Sequence, residues 1–373
     1  MTAERGPALG AAVPLEARVR VLLAAALPIA AIVGCFVCIW FGVSTIALDL
    51  PHVSAAFPAA PHALDGNRHL LVASVVADGG DPYSIDGYLY PPLGALVMIP
   101  LAALGPETGL WAWFAIKVAI LAWCVIDATR GLGWPVRALA LVFVATVTWV
   151  LDDMWLGNVS IAMTAAIYLA VSRDRPWAGI PLGIVVAAFA KPFVLPVLLW
   201  MLVFRRRSAI SALVTAVAAT GLSVIVLGSG TVAAYLDALT TATRMDLGHS
   251  LGLSGMAPQL LVPAAVAAFG LFLVLLWRSR DESSLLLWSL LIGLIAAPYV
   301  THYSVVPVLA GIPAFARAHP SRAMLMAAVA APVSLVAIMA ATVLGLVIAF
   351  PGDVLGRLRP GTVASKPAPP LTG

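Results

Sequence analysis

The residues best suited to chemistry gather in one polar stretch, residues 64–92, which reads LDGNRHLLVASVVADGGDPYSIDGYLYPP. Only 10% of the chain is charged, yet this stretch holds six acidic, basic or imidazole side chains: Asp65, Arg68, His69, Asp78, Asp81 and Asp86. A carboxylate can take the proton of an attacking hydroxyl, and cations can stabilise a departing phosphate. Asp65 is the leading candidate for such a base, with Arg68 as a possible phosphate contact.

Further along the chain, polar residues stand at the ends of apolar runs. Lys191 interrupts such a run, where a lysine is costly unless it reaches the membrane surface or meets an anion. His302 lies in the turn PYVTHY, and Arg244 lies in a second polar stretch at 228–255. Lys191, His302 and Arg244 could hold a phosphate, whereas Asp152 and Asp153 could simply solvate the end of a span.

Each candidate also has a structural explanation. Asp65 precedes a short helix expected at 68–77 and could be its N-cap. Asp81 occupies a GDPY turn, in which aspartate commonly forms the turn itself. Tyr90 could sit at the membrane interface where the chain re-enters the bilayer. Lys191 could extend to the membrane surface, and His302 could be a satisfied interfacial histidine.

Composition places the chain in the membrane. Its 373 residues are 62% apolar with a mean hydropathy of +1.03, far above a soluble domain. The net charge of +4 comes largely from arginines between spans, so a nucleic-acid partner is not indicated. No H-E-x-x-H or comparable cluster demands a metal, and we expect no cofactor. The sequence therefore predicts an all-α polytopic protein with about 10–12 transmembrane helices.

The arginines set the predicted topology. Residues 1–20 are expected in the cytoplasm and 21–48 as the first span, so that the loop 51–92 and the later loop 228–255 lie outside. A single transmembrane domain is expected over 21–350, followed by a disordered tail at 351–373. Spans at 138–151 and 159–171 are expected to flank an outer loop at 152–158, and a further span is expected at 304–315.

With this topology the conspicuous polar side chains sort to the outer side, whereas the cytoplasmic loops hold little beyond arginines. Lys117 is the exception, since it lies in mid-span. An outward cavity lined by carboxylate, lysine and histidine suits a lipid phosphate, whose tail stays in the bilayer. One carboxylate base with direct attack implies inversion at a sugar's anomeric carbon.

Several motifs resemble those of glycosyltransferase family 87, the polyprenol-phosphate-mannose-dependent α-(1→2)-mannosyltransferases of the GT-C fold, best known in actinobacteria. The first outer loop has the acidic residue, the GDPY-like turn and the YLYPPL run at 88–93. WLGNVSI at 155–161 is similar to the family's L-G-Q-x-N element, with Asn158 in the place of its Gln. AKPF at 190–193 and APYVTHY at 297–303 resemble its K-P and S-P-x-x-W-x-H-H elements.

The resemblance implies an inverting GT-C glycosyltransferase with a catalytic first outer loop in the plasma membrane. It would move a mannosyl group from a polyprenyl-phosphate donor to a glycolipid or glycan acceptor at the extracytoplasmic face. The expected catalytic residues are Asp65 as base and His302 near the donor phosphate. The expected substrate-binding residues are Arg68, Asp81, Tyr83, Tyr90, Asn158, Lys191 and Arg244.

Two alternatives remain open at this point. A related branch uses a polyprenyl-phosphate arabinofuranose donor, which would change the sugar but not the chemistry. A transporter or flippase of lipid-linked sugars would belong to another class, and it should show internal inverted repeats. One dominant polar loop and no evident repeat favour the enzyme.

Overall fold

The computed structural model of the protein describes residues 64–85, 87–189, 191, 194–242, 257–297, 300–323, 325–326 and 338–354. These residues form helices joined by turns and contain no β-strand, which confirms the predicted all-α class. The predicted cytoplasmic N-terminus, the predicted first span and residues 355–373 of the predicted tail lie outside them. Residues 351–354 of that tail are ordered instead, because Asp353 accepts from the Ser279 hydroxyl and the Arg280 amide.

The helices follow one another with short connections. The first half of the chain contains α1 (Leu64–Ala77), a 3₁₀ turn (Pro82–Ser84), α2 (Pro92–Ala102), α3 (Pro106–Ala128), α4 (Trp134–Thr146), α5 (Thr148–Leu156), α6 (Ser160–Ser172) and α7 (Pro176–Phe189). The second half contains α8 (Val194–Phe204), α9 (Arg206–Leu227), α10 (Gly230–Ala242), α11 (Pro258–Arg278), α12 (Glu282–Ala296), a 3₁₀ helix (His302–Ala310), α13 (Ile312–Ala318) and α14 (Ile338–Ile348).

Three of the described helices, α3, α9 and α11, are long and apolar enough to cross a membrane. They also expose large apolar side chains: Val217 and Ile225 of α9 are 73% and 81% exposed, and Trp277 of α11 is 79% exposed. Such surfaces suit contact with lipid. The other apolar helices of the described residues have fewer than 18 residues, so the total of 10–12 spans stays a prediction.

The core is centred on α6 and α12. Every side chain of α12 from Ser284 to Ile295 is buried, and most of α6 is buried in the same apolar cluster. A helix that is apolar all round must be surrounded by other helices or by lipid. The burial of α12 shows that helices surround it here.

Helix α1 begins at Leu64, four residues before the expected start at 68, so Asp65 lies in its first turn. Acidic side chains are favoured there by the helix dipole. The helix packs against α2 through buried apolar residues that include Leu70 and Val76. It ends after Ala77 as expected, because Gly79 adopts a positive φ of 81° that few other residues tolerate.

Residues 152–158 differ from expectation, since Asp152 and Asp153 lie in α5 and not in a loop. The break comes earlier, at Val147, which is extended (φ −61°, ψ 128°) between α4 and α5. The residue at 147 is neither Gly nor Pro, so the sequence did not predict this break. Gly157, with φ 70°, ends α5 and turns the chain so that Asn158 leads into α6.

The segment expected as a span at 304–315 is a 3₁₀ helix followed by the short α13. Thr301 and Ser304 form a capping box at its start, and Pro307 within it lacks the amide hydrogen that an α-helix would use. This 3₁₀ helix packs against α5 and α6.

Helix α6 separates two polar clusters. Ser160 at its first residue belongs to the site described below, whereas Tyr168 near its end donates to Asp127 Oδ2 at 2.8 Å. Asp127 Oδ1 also accepts from Arg173 at 2.9 Å and pairs with Arg130 at 3.0 Å. Thirteen residues of α-helix span about 20 Å, so this arginine cluster and the cluster that contains Ser160 lie at opposite ends of α6.

Candidate functional site

The carboxylate of Asp65 meets the side chain of Asn158, although the two residues are 93 positions apart in the chain. Asn158 Nδ2 donates to Asp65 Oδ2 at 2.6 Å. Asp65 Oδ1 faces Arg68, whose Nη1 lies 3.7 Å away, and the Asp65 side chain remains 20% exposed. One carboxylate oxygen is therefore held by an amide, and the other lies beside a cation.

The orientation of the Asn158 amide is fixed by three donors. Its Oδ1 accepts from the Val159 amide at 2.7 Å, from Lys191 Nζ at 3.1 Å and from Ser160 Oγ at 3.2 Å. Because the oxygen must face these donors, the NH₂ group must face Asp65. The Asn158 amide therefore holds the Asp65 carboxylate in a defined orientation.

Lys191 lies in the break between α7 and α8, and its side chain contacts this site. Its ammonium contacts Asn158 and also Ser160 Oγ at 3.1 Å, and it lies 5.2 Å from the ring centre of Tyr303. Tyr303 follows His302, so the backbone at His302 approaches the site, but the His302 side chain lies outside the described atoms. The Lys191 ammonium thus contacts two residues of this network directly.

A buried ion pair contacts the backbone of Asn158 and Ser160. Lys117 Nζ lies 2.7 Å from Asp153 Oδ1, and the two side chains are only 1% and 0% exposed. Asp153 Oδ2 accepts from the Ser160 amide at 2.9 Å, and the Asp153 carbonyl accepts from the amide of Asn158. The sequence analysis gave Lys117 no role and let Asp153 solvate the end of a span, whereas the structure buries both in an ion pair.

Two further contacts fix the turn that carries Asn158. Trp113 Nε1 donates to the Gly157 carbonyl at 2.9 Å. Gly66 of α1 lies so close to Gly157 that a Cβ at Gly66 would be 3.3 Å from the Gly157 Cα. This close approach lets the first turn of α1, with Asp65, lie directly against the start of α6.

One turn along α1 from Asp65, His69 is buried among aromatic rings. It is 1% exposed, and the centres of Tyr90, Phe189 and Tyr88 lie 4.8, 5.8 and 6.2 Å from its own. Burial lowers the pKa of His69 to about 4, although Asp65 opposes the shift. The imidazole is therefore neutral at physiological pH. Sequence reasoning assigned it no role.

Asp81 and Tyr83 hold the loop after α1. Asp81 Oδ1 accepts from the Tyr83 amide at 3.0 Å and caps the 3₁₀ turn, as the turn interpretation of GDPY expects. Tyr83 Oη donates to the Tyr90 carbonyl at 2.9 Å, and burial raises the pKa of this phenol. These contacts place Tyr90 over His69, and Asp81 itself stays exposed.

Arg244 lies outside the described residues. A cavity of about 630 Å³ opens at the other end of α1, between Ala77, Leu96 and Leu227, and its lining does not include Asp65, Asn158 or Lys191. Within the described part of the chain, no group of three or more His, Cys, Asp or Glu side chains could hold a metal.

Comparison with known families gives a match over much of the chain. The sequence model of glycosyltransferase family 87 matches residues 88–301, which is more than half of the chain. The matched region contains Asn158 and Lys191, starts after Asp65 and ends one residue before His302. The chain has no significant match among curated proteins or among solved structures.

Proposed function

Since the chain belongs to glycosyltransferase family 87, a family of membrane glycosyltransferases, we propose that it transfers a mannosyl group from a polyprenyl-phosphate donor to a glycolipid or glycan. Asp65 serves as the general base in this proposal. The supporting observation is the chain of contacts from Asp65 through Asn158 to Lys191. It joins a carboxylate and a cation, which are the two charges that the transfer needs.

The proposed step is a single displacement. The acceptor hydroxyl oxygen forms a bond to the anomeric carbon while the bond from that carbon to the phosphate oxygen breaks. The phosphate leaves with the bonding electron pair as polyprenyl phosphate, and the hydroxyl proton passes to Asp65. Attack opposite the leaving group inverts the anomeric centre.

The surroundings of Asp65 suit both halves of this step. Its amide partner orients the carboxylate, and its partial exposure leaves room for an acceptor. Lys191, and Arg68 with its 37% exposed side chain, could balance the charge that develops on the phosphate. His302 is proposed near the same phosphate because its neighbour Tyr303 contacts Lys191.

The location proposed for this step is the outer face of the plasma membrane. The lipid tail of the donor would remain in the bilayer, beside apolar helices such as α3, while its phosphate reaches Asp65. The separation of the acidic site from the arginine cluster at Asp127 supports this orientation, because arginines favour the cytoplasmic side.

The test is transfer of radiolabelled sugar by the purified protein in lipid. Asp65→Asn should lower the transfer rate by about 10²- to 10⁴-fold, which is the usual contribution of a general base. Asp78→Asn is the matched control, because Asp78 is an exposed carboxylate just after the same helix, and it should retain activity. Undiminished transfer by Asp65→Asn would remove Asp65 from the base role.

The donor is tested in the same assay. We expect the protein to transfer mannose from polyprenyl-phosphate mannose faster than arabinofuranose from the corresponding arabinofuranose donor. Preference for arabinofuranose would keep the mechanism and correct the sugar. No transfer by the wild-type protein from any polyprenyl-phosphate sugar would overturn the proposed function.

A further inference from the structure

His69 has no partner for either of its polar atoms in the described structure. Both ring nitrogens are buried, and neither makes a hydrogen bond. A neutral imidazole always carries one donor and one acceptor, and burying such groups without partners is unfavourable. Buried polar groups of this kind call for an explanation, and a bound ligand is one.

The surroundings of His69 restrict what that ligand could be. Its ring lies one helical turn from Asp65, so the two side chains share one face of α1. Tyr90, Tyr88 and Phe189 form apolar walls around it. A neutral donor and acceptor between aromatic rings suits an uncharged hydroxyl on a compact ring, and it suits a phosphate less well.

We propose that His69 binds a hydroxyl group of the sugar substrate, in a subsite walled by Tyr88, Tyr90 and Phe189 beside Asp65. This inference rests on the proposed function and adds the residue that recognises the sugar. The low pKa of His69 agrees with it, since an imidazole that stays neutral keeps both a donor and an acceptor.

Tyr90 is the side chain that a substrate would move. It is the nearest ring to His69 and is only partly buried, whereas Tyr88 and Phe189 are buried. Its backbone carbonyl accepts from Tyr83, so the loop can stay in place while the side chain rotates away from its hydrogen bond with the Asn158 side chain. Rotation of Tyr90 would open His69 towards the space next to Asp65.

The experiment compares wild type, His69→Phe and His69→Gln, each as the full chain in lipid. His69→Phe keeps the ring and removes both polar atoms, so its melting temperature should not fall. Its KM should rise about 10- to 100-fold for the substrate, donor or acceptor, that carries the recognised hydroxyl. This is the size expected for a lost hydrogen bond to a buried group. His69→Gln, which retains a donor and an acceptor, should recover part of the loss.

Deoxy sugars identify the hydroxyl. For the deoxy analogue that lacks the recognised hydroxyl, wild type and His69→Phe should have equal KM values, because the contact with His69 is absent in both. A raised KM for the donor would assign the hydroxyl to the transferred sugar, and a raised KM for the acceptor would assign it to the acceptor.

Two results would overturn the inference alone while wild type remains active. One is an unchanged KM of His69→Phe for both substrates, and the other is an equal loss on every deoxy analogue, which would indicate a structural role. Absence of any transfer by wild type would instead remove the proposed function, and this inference with it.

Discussion

At the scale of single residues, the candidate site is a set of side chains whose orientations fix one another. Asn158 can present its NH₂ group to Asp65 because three donors hold its oxygen. Lys191 is one of those donors. A substrate phosphate that attracts Lys191 would therefore also act on the amide that orients the proposed base.

His69 gives a prediction for stability as a function of pH. Its pKa is about 4 in the folded protein and about 6.5 in an unfolded chain. Between these values the unfolded state binds a proton that the folded state does not, so wild type should lose stability as the pH falls from about 6.5 to about 4.

The measurement is the melting temperature of wild type and His69→Phe from about pH 8 to about pH 4. The Phe variant lacks this titration, so its melting temperature should exceed that of wild type by a margin that grows below about pH 6.5. Parallel curves for the two proteins would contradict the burial of a neutral His69.

At the scale of elements, the pair of Lys117 and Asp153 joins α3 to α5 and supports the start of α6. Lys117→Met leaves the Asp153 carboxylate buried without its cation. Breaking a buried pair in this way typically costs about 3–5 kcal/mol, so we expect a clear fall in the melting temperature.

The double variant Lys117→Met/Asp153→Asn is the control for that prediction. It removes both charges, and the side-chain oxygen of the introduced amide can still accept from the Ser160 amide. The double variant should therefore be more stable than Lys117→Met alone. If the two variants melt together, the ion pair does not carry the stability assigned to it.

Helices α7 and α9 approach closely through glycines. A Cβ at Gly179 would lie 2.0 Å from the Ser208 carbonyl oxygen, and one at Gly183 would lie 2.4 Å from that of Ala212. Small residues four apart allow membrane helices to pack in this way. Gly179→Val should therefore force the helices apart, at a cost of about 1–3 kcal/mol or more.

Gly221 offers a matched control on α9, because a Cβ there would meet nothing within 4 Å. Gly221→Val should change the melting temperature little, whereas Gly179→Val should lower it distinctly. Equal melting temperatures for the two variants would count against the close contact between α7 and α9.

At the scale of the whole molecule, the proposed orientation can be tested by labelling single cysteines. Cys35, Cys38 and Cys124 are first replaced, and Asp78→Cys or Arg206→Cys is introduced, each at an exposed position. A membrane-impermeant thiol reagent should label Asp78→Cys on intact cells and Arg206→Cys only after permeabilisation. The reverse pattern would place Asp65 at the cytoplasmic face.

Much of the site could be anticipated from residue types in the sequence. Asp65 and Lys191 were candidates because polar groups are costly beside apolar spans, and Asn158 was a candidate through the family resemblance. The structure brings these three together. The all-α class followed from hydropathy alone. The role of Asp81 as a cap also matched the turn chemistry of GDPY.

Other features depend on contacts between distant segments, which local pattern does not encode. Lys117 and Asp153 are 36 residues apart, and only their packing across α3 and α5 makes them a pair. The break at Val147 has no Gly or Pro to mark it, and the aromatic surroundings of His69 come from separate segments of the chain. Periodicity and motif spacing describe each segment alone, so they missed these features.

The contact between Gly66 and Gly157 has a geometric consequence for the whole site. Neither glycine presents a side chain to the other, so the first turn of α1 can lie close to the turn that carries Asn158. A methyl group at Gly66 would lie 2.8 Å from Leu110 Cδ2 and 3.3 Å from the Gly157 Cα, so Leu110 would have to move and Asp65 would shift slightly from its amide. The position of the proposed base relative to Asn158 thus depends on the absence of a side chain at Gly66.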